Sequence, residues 1–274
     1  MRAARLALLA GALCFSTGGA AIKFCSLNGW QVASFRSGVA VLALLVLAPT
    51  GLRSMGRRDW VVGAAMAATL IAFVVANKLT SAANVIFLQS TSPFYLLVLA
   101  PWLLGEPLQR RDLAIMLAIA AGMALFFIGE QPATHSAPDP LRGNLIAAAS
   151  GLSFALTLIG LRWVSRGGGT RSGMLIAGNA LTFLLCLPLA LPVIGASLAD
   201  WLVIAWLGVV QIGFAYLLVT AGLQRVPAFE AALLLMLEPV LNPVWAALVQ
   251  GEIPSPWALA GGAVILTASL ARRD

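Results

Sequence analysis

The stretch TSAANVIFLQSTSPFYLLVLAPWLLGE, residues 80–106, decides the fold of this chain. It is apolar enough to cross a bilayer, yet polar and aromatic side chains recur along it. At about 100° per residue, five of them share a helical sector roughly 80° wide. They are Ser81, Asn84, Ser92, Tyr95 and Trp102. A membrane helix with one such stripe usually turns it toward other helices or a cavity, so we predict that this helix lines a cavity.

A second stretch, VPAFEAALLLMLEPVLNPVWAALVQGE at residues 226–252, repeats features of the first. At a shift of 146 positions, the residues that coincide are Pro93 with Pro239, Gly105 with Gly251, and Glu106 with Glu252. This agreement predicts an internal repeat that spans most of the chain.

The composition predicts an all-α integral membrane protein. Of the 274 residues, 61% are hydrophobic and 10% are charged, whereas soluble chains carry about 25% charged residues. The net charge of +7 does not indicate nucleic-acid binding, because the cations lie between apolar segments, where they determine topology. The partners that we expect are the lipid bilayer and a small-molecule substrate, without nucleic acid.

Ten transmembrane helices of about 20 residues fit the sequence. The predicted spans are 5–26, 30–48, 59–78, 82–104, 111–129, 142–163, 172–191, 201–223, 227–249 and 255–271. The longest polar connection, EQPATHSAPDP at 130–140, leaves five spans on each side. We therefore divide the chain into a first repeat at 5–129, a linker at 130–141 and a second repeat at 142–271.

The distribution of Lys and Arg predicts the orientation, since cytoplasmic loops carry an excess of these residues. With the N-terminus inside, thirteen of the seventeen face the cytoplasm: Arg2, Arg5, Arg53, Arg57, Arg58, Arg110, Arg111, Arg162, Arg166, Arg171, Arg225, Arg272 and Arg273. We therefore predict a multi-pass protein of a bacterial-type inner membrane. Both termini would be cytoplasmic and the linker periplasmic.

An odd number of spans in each repeat has a geometric consequence. Two similar halves of five spans must enter the membrane in opposite directions, which makes them inverted repeats. Such repeats place a binding site near the membrane midplane and give alternating access when one half rocks against the other.

The chain resembles the ten-helix branch of the drug/metabolite transporter (DMT) superfamily, whose members contain two EamA-type repeats. The residues that carry the resemblance are Gly18–Lys23, Phe35-Arg36, Thr80–Pro93, Ala221–Pro227, Glu238-Pro239 and Gly251-Glu252. The resemblance implies secondary export or exchange of small metabolites, often amino acids, as in the similar YddG-type exporters. The halves are not equivalent, because Ser92-Pro93 lacks the glutamate of Glu238-Pro239.

Other functions stay open. A drug or nucleotide-sugar carrier of the same superfamily is one alternative, although sugar-nucleotide phosphates need more cations than the spans supply. A membrane enzyme or scaffold without transport is another, but the chain shows no catalytic, nucleotide or metal-binding motif. We therefore expect no enzymatic activity, cofactor or metal. The oligomeric state is undetermined, because Gly261-Gly262 permits dimerisation without requiring it.

Candidate substrate-binding residues are polar or aromatic side chains within the spans. Lys78, beside Asn77, is a cation at the outer end of span three, where it either holds a substrate carboxylate or only extends toward the membrane surface. The remaining candidates are Asn84, Ser92, Tyr95, Gln211, Trp102 and Trp163. Trp163 lies near the cytoplasmic boundary, where tryptophans also anchor helices, and Trp102 has the same alternative.

Two charged residues within the spans, Arg36 and Glu238, have a role that the sequence leaves open. Arg36, about two turns inside span two, either lines the cavity or binds backbone carbonyls. Glu238, at mid-span, either carries a proton or braces the helix at Pro239. Glu252, like Glu106, precedes a helix, and we expect it to stabilise a helix N-terminus.

Overall fold

The computed structural model describes residues 2–53, 55–103, 110–128, 133–166, 171–223, 225–226, 234–235 and 237–271. These residues are helical apart from turns, short connections and one isolated β-bridge between Thr134 and Ala137. The helices are α1 Arg2–Ser16, α2 Gly18–Phe24, α3 Gly29–Leu47, α4 Thr50–Arg53, α5 Arg57–Leu79, α6 Ala82–Gln89, α7 Ser92–Leu103, α8 Arg110–Ile128, α9 Pro140–Arg166, α10 Arg171–Ala190, α11 Leu198–Ala205, a π-helix Trp206–Phe214, α12 Ala215–Leu223, α13 Leu237–Gln250 and α14 Pro256–Ala271.

The prediction of a multi-pass, all-helical membrane protein is confirmed. Seven helical segments of the described residues are long and apolar enough to cross a membrane, and α8 and α14 contain shorter apolar helices. The prediction of ten spans depends partly on residues 227–233 and 236, which lie outside the described residues. The count of ten therefore stays a prediction.

The predicted span over 82–104 is found as one candidate membrane segment at Ala82–Leu99, but a turn at residues 90–91 interrupts its helix. The hydroxyl of Ser90 donates to the carbonyl of Ile86 at 2.7 Å, and that of Thr91 donates to the carbonyl of Leu88 at 2.6 Å. Such back-bonding competes with the helical ladder, and Pro93, which has no amide hydrogen, fits the first turn of a new helix. The turn interrupts the helix, yet Asn84 of α6 and Tyr95 of α7 both lie against α9, near Asn144 and Gly151.

Spans one and eight are also irregular near their middles. In span one, Thr17 forms a turn between α1 and α2, and two glycines follow it. In span eight, the chain winds into a π-helix at Trp206–Phe214 before it returns to α-helix. Irregular helices at membrane depth typically line a site, because their backbone groups must find partners inside the protein.

The two halves of the chain run in opposite directions. We call the end of the bundle that holds residues 134–140 the linker end. Span one finishes there, since Lys23 contacts the carbonyl of Ser136, whereas α9 begins there at Pro140. Likewise α6 begins beside Glu252, while α13 ends two residues before it. Corresponding spans of the two halves therefore cross in opposite senses, as inverted repeats require.

The core is built largely from contacts between the two halves. The helix pairs with the most extensive contacts include α5 with α9 and α10, α3 with α10, α8 with α14, and α1 with α12. In the pair α8–α14, a methyl group added to Gly261 would lie 2.7 Å from the carbonyl oxygen of Gly122. The sequence analysis named the small-residue face at Gly261-Gly262 as one that permits dimerisation. In the structure this face packs against other helices of the same chain.

Candidate functional site

A group of polar side chains lies where spans one, two, eight and nine meet. We call it the central polar cluster, and its members are Ser16, Thr17, Arg36, Trp206, Gln211, Asn242 and Trp245. They come from the irregular part of span one, from α3, from the π-helix and from α13. Both repeats therefore contribute to it.

Arg36 is the charged residue at the heart of the cluster. Its side chain is only 1% exposed, and its guanidinium donates to Gln211 Oε1 at 3.4 Å and to the carbonyl of Leu70 at 3.2 Å. Its Nε has no hydrogen-bond partner, and no carboxylate of the described residues pairs with it. The contact with the carbonyl of Leu70 agrees with the interpretation that Arg36 binds backbone carbonyls. The unpaired Nε leaves a donor for another acceptor, which agrees with the interpretation that Arg36 lines the cavity.

Two indoles hold the irregular part of span one. Trp206 Nε1 donates to Thr17 Oγ1 at 3.1 Å, and Trp245 Nε1 donates to Ser16 Oγ at 2.9 Å. The same hydroxyls donate to carbonyls three residues earlier in α1, which occupies their own hydrogens. The sequence analysis did not include these two tryptophans among the site residues, since neither shows by itself which hydroxyl it reaches.

Glycines allow the chain to approach the two amides of the cluster closely. A methyl group at Gly18 would lie 3.0 Å from Gln211 Nε2, and one at Gly19 would lie 2.5 Å from Asn242 Oδ1. Gln211 and Asn242 thus flank the Gly18-Gly19 pair, and a side chain at Gly19 would displace span one.

Lys78 and Asn77 lie at the linker end, away from this cluster. Lys78 Nζ donates to the carbonyl of Cys25 at 2.5 Å, which ties the end of α5 to the end of span one. Asn77 is buried, and its amide donates to the carbonyl of Phe73 at 2.9 Å. The structure therefore separates the two predicted cations, with Arg36 in the central polar cluster and Lys78 at the linker end.

Asn84 takes part in a network that joins α6 to α9. Its Nδ2 donates to Asn144 Oδ1 at 3.0 Å, and the same oxygen accepts from Thr80 Oγ1 at 2.8 Å. Asn144 in turn donates to the carbonyl of Phe126 at 3.2 Å. Ser81 accepts from the amide of Asn84 and caps α6. The sequence analysis did not identify Asn144. An amide inside an otherwise apolar helix is a signal that it has a polar partner on a neighbouring helix.

The remaining candidate residues differ in their exposure. Ser92 is buried at the start of α7, and Tyr95 is half-buried, packing edge-on against Phe94 with ring centroids 5.4 Å apart. Trp102 is 89% exposed, and Trp163 is 43% exposed with the guanidinium of Arg58 lying 4.9 Å from its ring centroid. The surface positions of both tryptophans favour contact with lipid over contact with the cluster.

The predicted acidic residues have different surroundings. Glu238 is half-buried in the first turn of α13. Proton coupling by Glu238 stays a prediction. Glu252 Oε2 accepts from the amide of Ala82 at 3.0 Å, so it stabilises the N-terminus of α6, which is not the helix that follows it in the chain. Glu106 lies outside the described residues.

A cleft of about 390 Å³ opens at the linker end. Polar side chains from both repeats and the linker line it, among them Ser81, Asn84, Thr134, Ser136, Gln250 and Glu252. Within the described part of the chain, no three acidic, histidine or cysteine side chains group as metal ligands do. Gln250 and Glu252 line the cleft and also contact span one, through the carbonyl of Ala20 and the side chain of Lys23.

Comparisons with known proteins agree with this architecture. The model of the EamA-like transporter family matches residues 2–128 and again residues 141–271. A solved structure described only as "Crystal structure of protein" has a TM-score of 0.66 and 21% identity, covering 99% of this chain and 96% of its own. At that identity the likeness shows the fold alone. No curated protein matches the chain.

Proposed function

We propose, because this chain belongs to the EamA-like transporter family of the DMT superfamily, that it is a secondary transporter of amino acids or similar zwitterions. It would export or exchange them by alternating access around the central polar cluster. The repeats would be 5–129 and 142–271, joined by the linker at 130–141, and the nearest functional analogy is the YddG-type amino-acid exporters.

The observation that supports the proposal most directly is the environment of Arg36. A buried guanidinium at membrane depth is costly unless it has partners, and here its partners are a neutral amide and a carbonyl. Arginine matches a carboxylate with two parallel hydrogen bonds, so a substrate carboxylate would supply the negative charge that the described residues do not place beside Arg36. The hydroxyls and amides around Gly18-Gly19 supply acceptors for an ammonium group.

The opposite directions of the two halves support alternating access. Helices of both repeats form the central polar cluster, so that a rotation of one repeat against the other would change which end of the cluster is covered. Lys78 is the proposed residue for the first contact with the carboxylate at the linker end. The other proposed contacts are Ser92, Tyr95 and Gln211, with Asn77 and Asn84 supporting the wall.

Counterflow in proteoliposomes tests the proposal. Liposomes loaded with each of the common amino acids in turn are diluted into the same amino acid as radiolabel, and transient accumulation reports exchange. We expect accumulation for at least one amino acid with the wild type, and loss of it with Arg36→Gln. Arg142→Gln, which removes an exposed cation at the linker end, is the matched control and should transport normally. Equal counterflow by Arg36→Gln and the wild type would remove Arg36 from the pathway.

We also propose that the protein lies in a bacterial-type inner membrane with both termini in the cytoplasm. Arg2 begins α1, and α14 runs away from the linker end, so both described chain ends lie at the end of the bundle opposite the linker. Reporter fusions at the two termini should give cytoplasmic signals, whereas a reporter in the linker should give a periplasmic one.

A further inference from the structure

Among the described residues, the buried amide of Asn242 has no hydrogen-bond partner. Its side chain is 0% exposed, and neither Oδ1 nor Nδ2 makes a hydrogen bond to any part of the chain that the structure describes. Unpaired buried polar groups destabilise a protein, and native structures hold few of them. A fully unpaired amide inside a membrane helix therefore needs a reason.

Other buried asparagines of the spans behave differently. Asn77 and Asn179 each donate from Nδ2 to the carbonyl four residues earlier, at 2.9 Å in both cases. These amides satisfy their donors within their own helices and leave only Oδ1 unpaired, whereas Asn242 leaves both atoms unpaired. Asn242 instead directs its amide out of α13 toward Gly19 of span one, so local helix geometry does not explain it.

The backbone of α2 covers this amide in the present conformation. A methyl group at Gly19 would lie 2.5 Å from Asn242 Oδ1 and 3.1 Å from Nδ2. We call the contact between α2 and α13 the α2–α13 seam. Toward the linker end, other side chains of the same seam have partners, because Gln250 Nε2 donates to the carbonyl of Ala20 at 2.7 Å and Lys23 pairs with Glu252. Among the described side chains of the seam, Asn242 alone pairs neither its donor nor its acceptor, since Gln250 leaves only Oε1 unpaired.

We infer that Asn242 is a substrate-contacting residue, uncovered when the α2–α13 seam opens, and that Oδ1 accepts from the ammonium group of the substrate. The inference rests on the proposed function and adds the residue that recognises the amine. Gln211 and Arg36 lie on the other side of Gly18-Gly19, so the carboxylate of the same molecule would bind there. A small molecule with an amine beside a carboxylate satisfies both groups at once.

Competition experiments with the amino acid found by counterflow test this role. The competitors are that amino acid and its deaminated analogue, which keeps the carboxylate and lacks the amine. Wild-type protein should prefer the amino acid. Asn242→Leu, which removes the amide at similar volume, should shrink the ratio of the two inhibitory concentrations about tenfold or more, as expected when a hydrogen bond to a charged group is lost.

Asn179→Leu is the matched control, because it removes a buried amide that contacts its own helix. It should lower the thermal stability and leave the ratio unchanged. The unfolding temperature of Asn242→Leu without substrate should equal or exceed that of the wild type, since an unpaired amide is removed. If Asn242→Leu keeps counterflow and shows the wild-type ratio of inhibitory concentrations, Asn242 does not recognise the amine, while the proposed transport function is unaffected. Absence of counterflow in the wild type would instead contradict the proposed function.

Discussion

Lys23 and Glu252 form an ion pair between the two repeats, with 2.7 Å from Nζ to Oε1. Both side chains are largely buried, at 3% and 10% exposure. Glu252 also accepts from the amide of Ala82, and Lys23 donates to the carbonyl of Ser136. One pair of charges thus joins span one, span four, the linker and the loop before α14. Its release would remove one of the contacts that hold span one against the second repeat at the linker end, where Gln250 also donates to the carbonyl of Ala20.

The first prediction concerns this ion pair. Lys23→Gln should open the linker end, because removing one partner of a buried pair costs about 3–5 kcal/mol. Cys25, 1% exposed and next to the pair, reports the opening in a Cys14→Ser/Cys186→Ser background. A membrane-impermeant maleimide should label Cys25 slowly in this background and faster when Lys23→Gln is added.

The charge exchange Lys23→Glu/Glu252→Lys should restore slow labelling, because it rebuilds the pair with reversed polarity. Arg142→Gln, which removes an exposed cation at the same end, should leave the labelling rate unchanged. Labelling that is equally slow with and without Lys23→Gln would show that the pair does not hold the linker end closed.

The second prediction concerns Gly19. Gly19→Ala places a methyl group 2.5 Å from Asn242 Oδ1 and 3.0 Å from Ala82 Cβ, so either the Asn242 amide or span one must shift. We expect the variant to lose about 1–3 kcal/mol of stability, as overpacked cores do. Gly29→Ala is the control, since its methyl group would have only ordinary contacts from 3.5 Å outward. Thermal unfolding in detergent compares them, and equal stabilities would contradict the close approach.

The third prediction concerns Gln211. Gln211→Leu removes the side-chain acceptor of the buried Arg36, and we expect a loss of about 1.5–3 kcal/mol, the usual value for a hydrogen bond to a charged group. Gln211→Glu keeps an acceptor and adds the missing negative charge, so its unfolding temperature should return to or exceed that of the wild type. If Gln211→Glu is the less stable of the two variants, the guanidinium is not short of a counter-charge.

The fourth prediction separates Lys78 from Arg36. Lys78 lies at the linker end and Arg36 in the cluster, so they should act at different steps. Lys78→Ala should raise the half-saturating substrate concentration without lowering the maximal counterflow rate, whereas Arg36→Gln should abolish counterflow. Concentration series at fixed protein density measure both parameters. Unchanged kinetics in Lys78→Ala would remove that residue from substrate capture.

The sequence indicates the architecture because its signals are periodic or repeated. Apolar length predicts helices, and the coincidence of Pro93 with Pro239 and of Glu106 with Glu252 predicts two related halves, which the repeated family match confirms. The break at residues 90–91 was not predictable in the same way. A hydroxyl that bonds back to its own helix and one that faces a cavity look identical in a sequence.

The candidate site was predicted less completely, because its geometry depends on pairs far apart in the chain. Arg36 and Gln211 were both identified, yet nothing local shows that one donates to the other across 175 positions. The sequence predicts Lys78 at the outer end of span three, but it does not show that Lys78 donates to the carbonyl of Cys25 at the end of span one. The unpaired state of Asn242 is visible only when the neighbouring backbone is known.

The central claim is that the two repeats move against each other around the central polar cluster. Spin labels at Trp30→Cys and Ile253→Cys, in a chain without its three native cysteines, mark the two repeats at the linker end. Both positions are exposed, and pulsed electron paramagnetic resonance gives the distribution of distances between them. We predict that adding the transported amino acid, or introducing Glu252→Gln, moves population to a second, longer distance. A single distribution that neither change alters would contradict alternating access by these repeats.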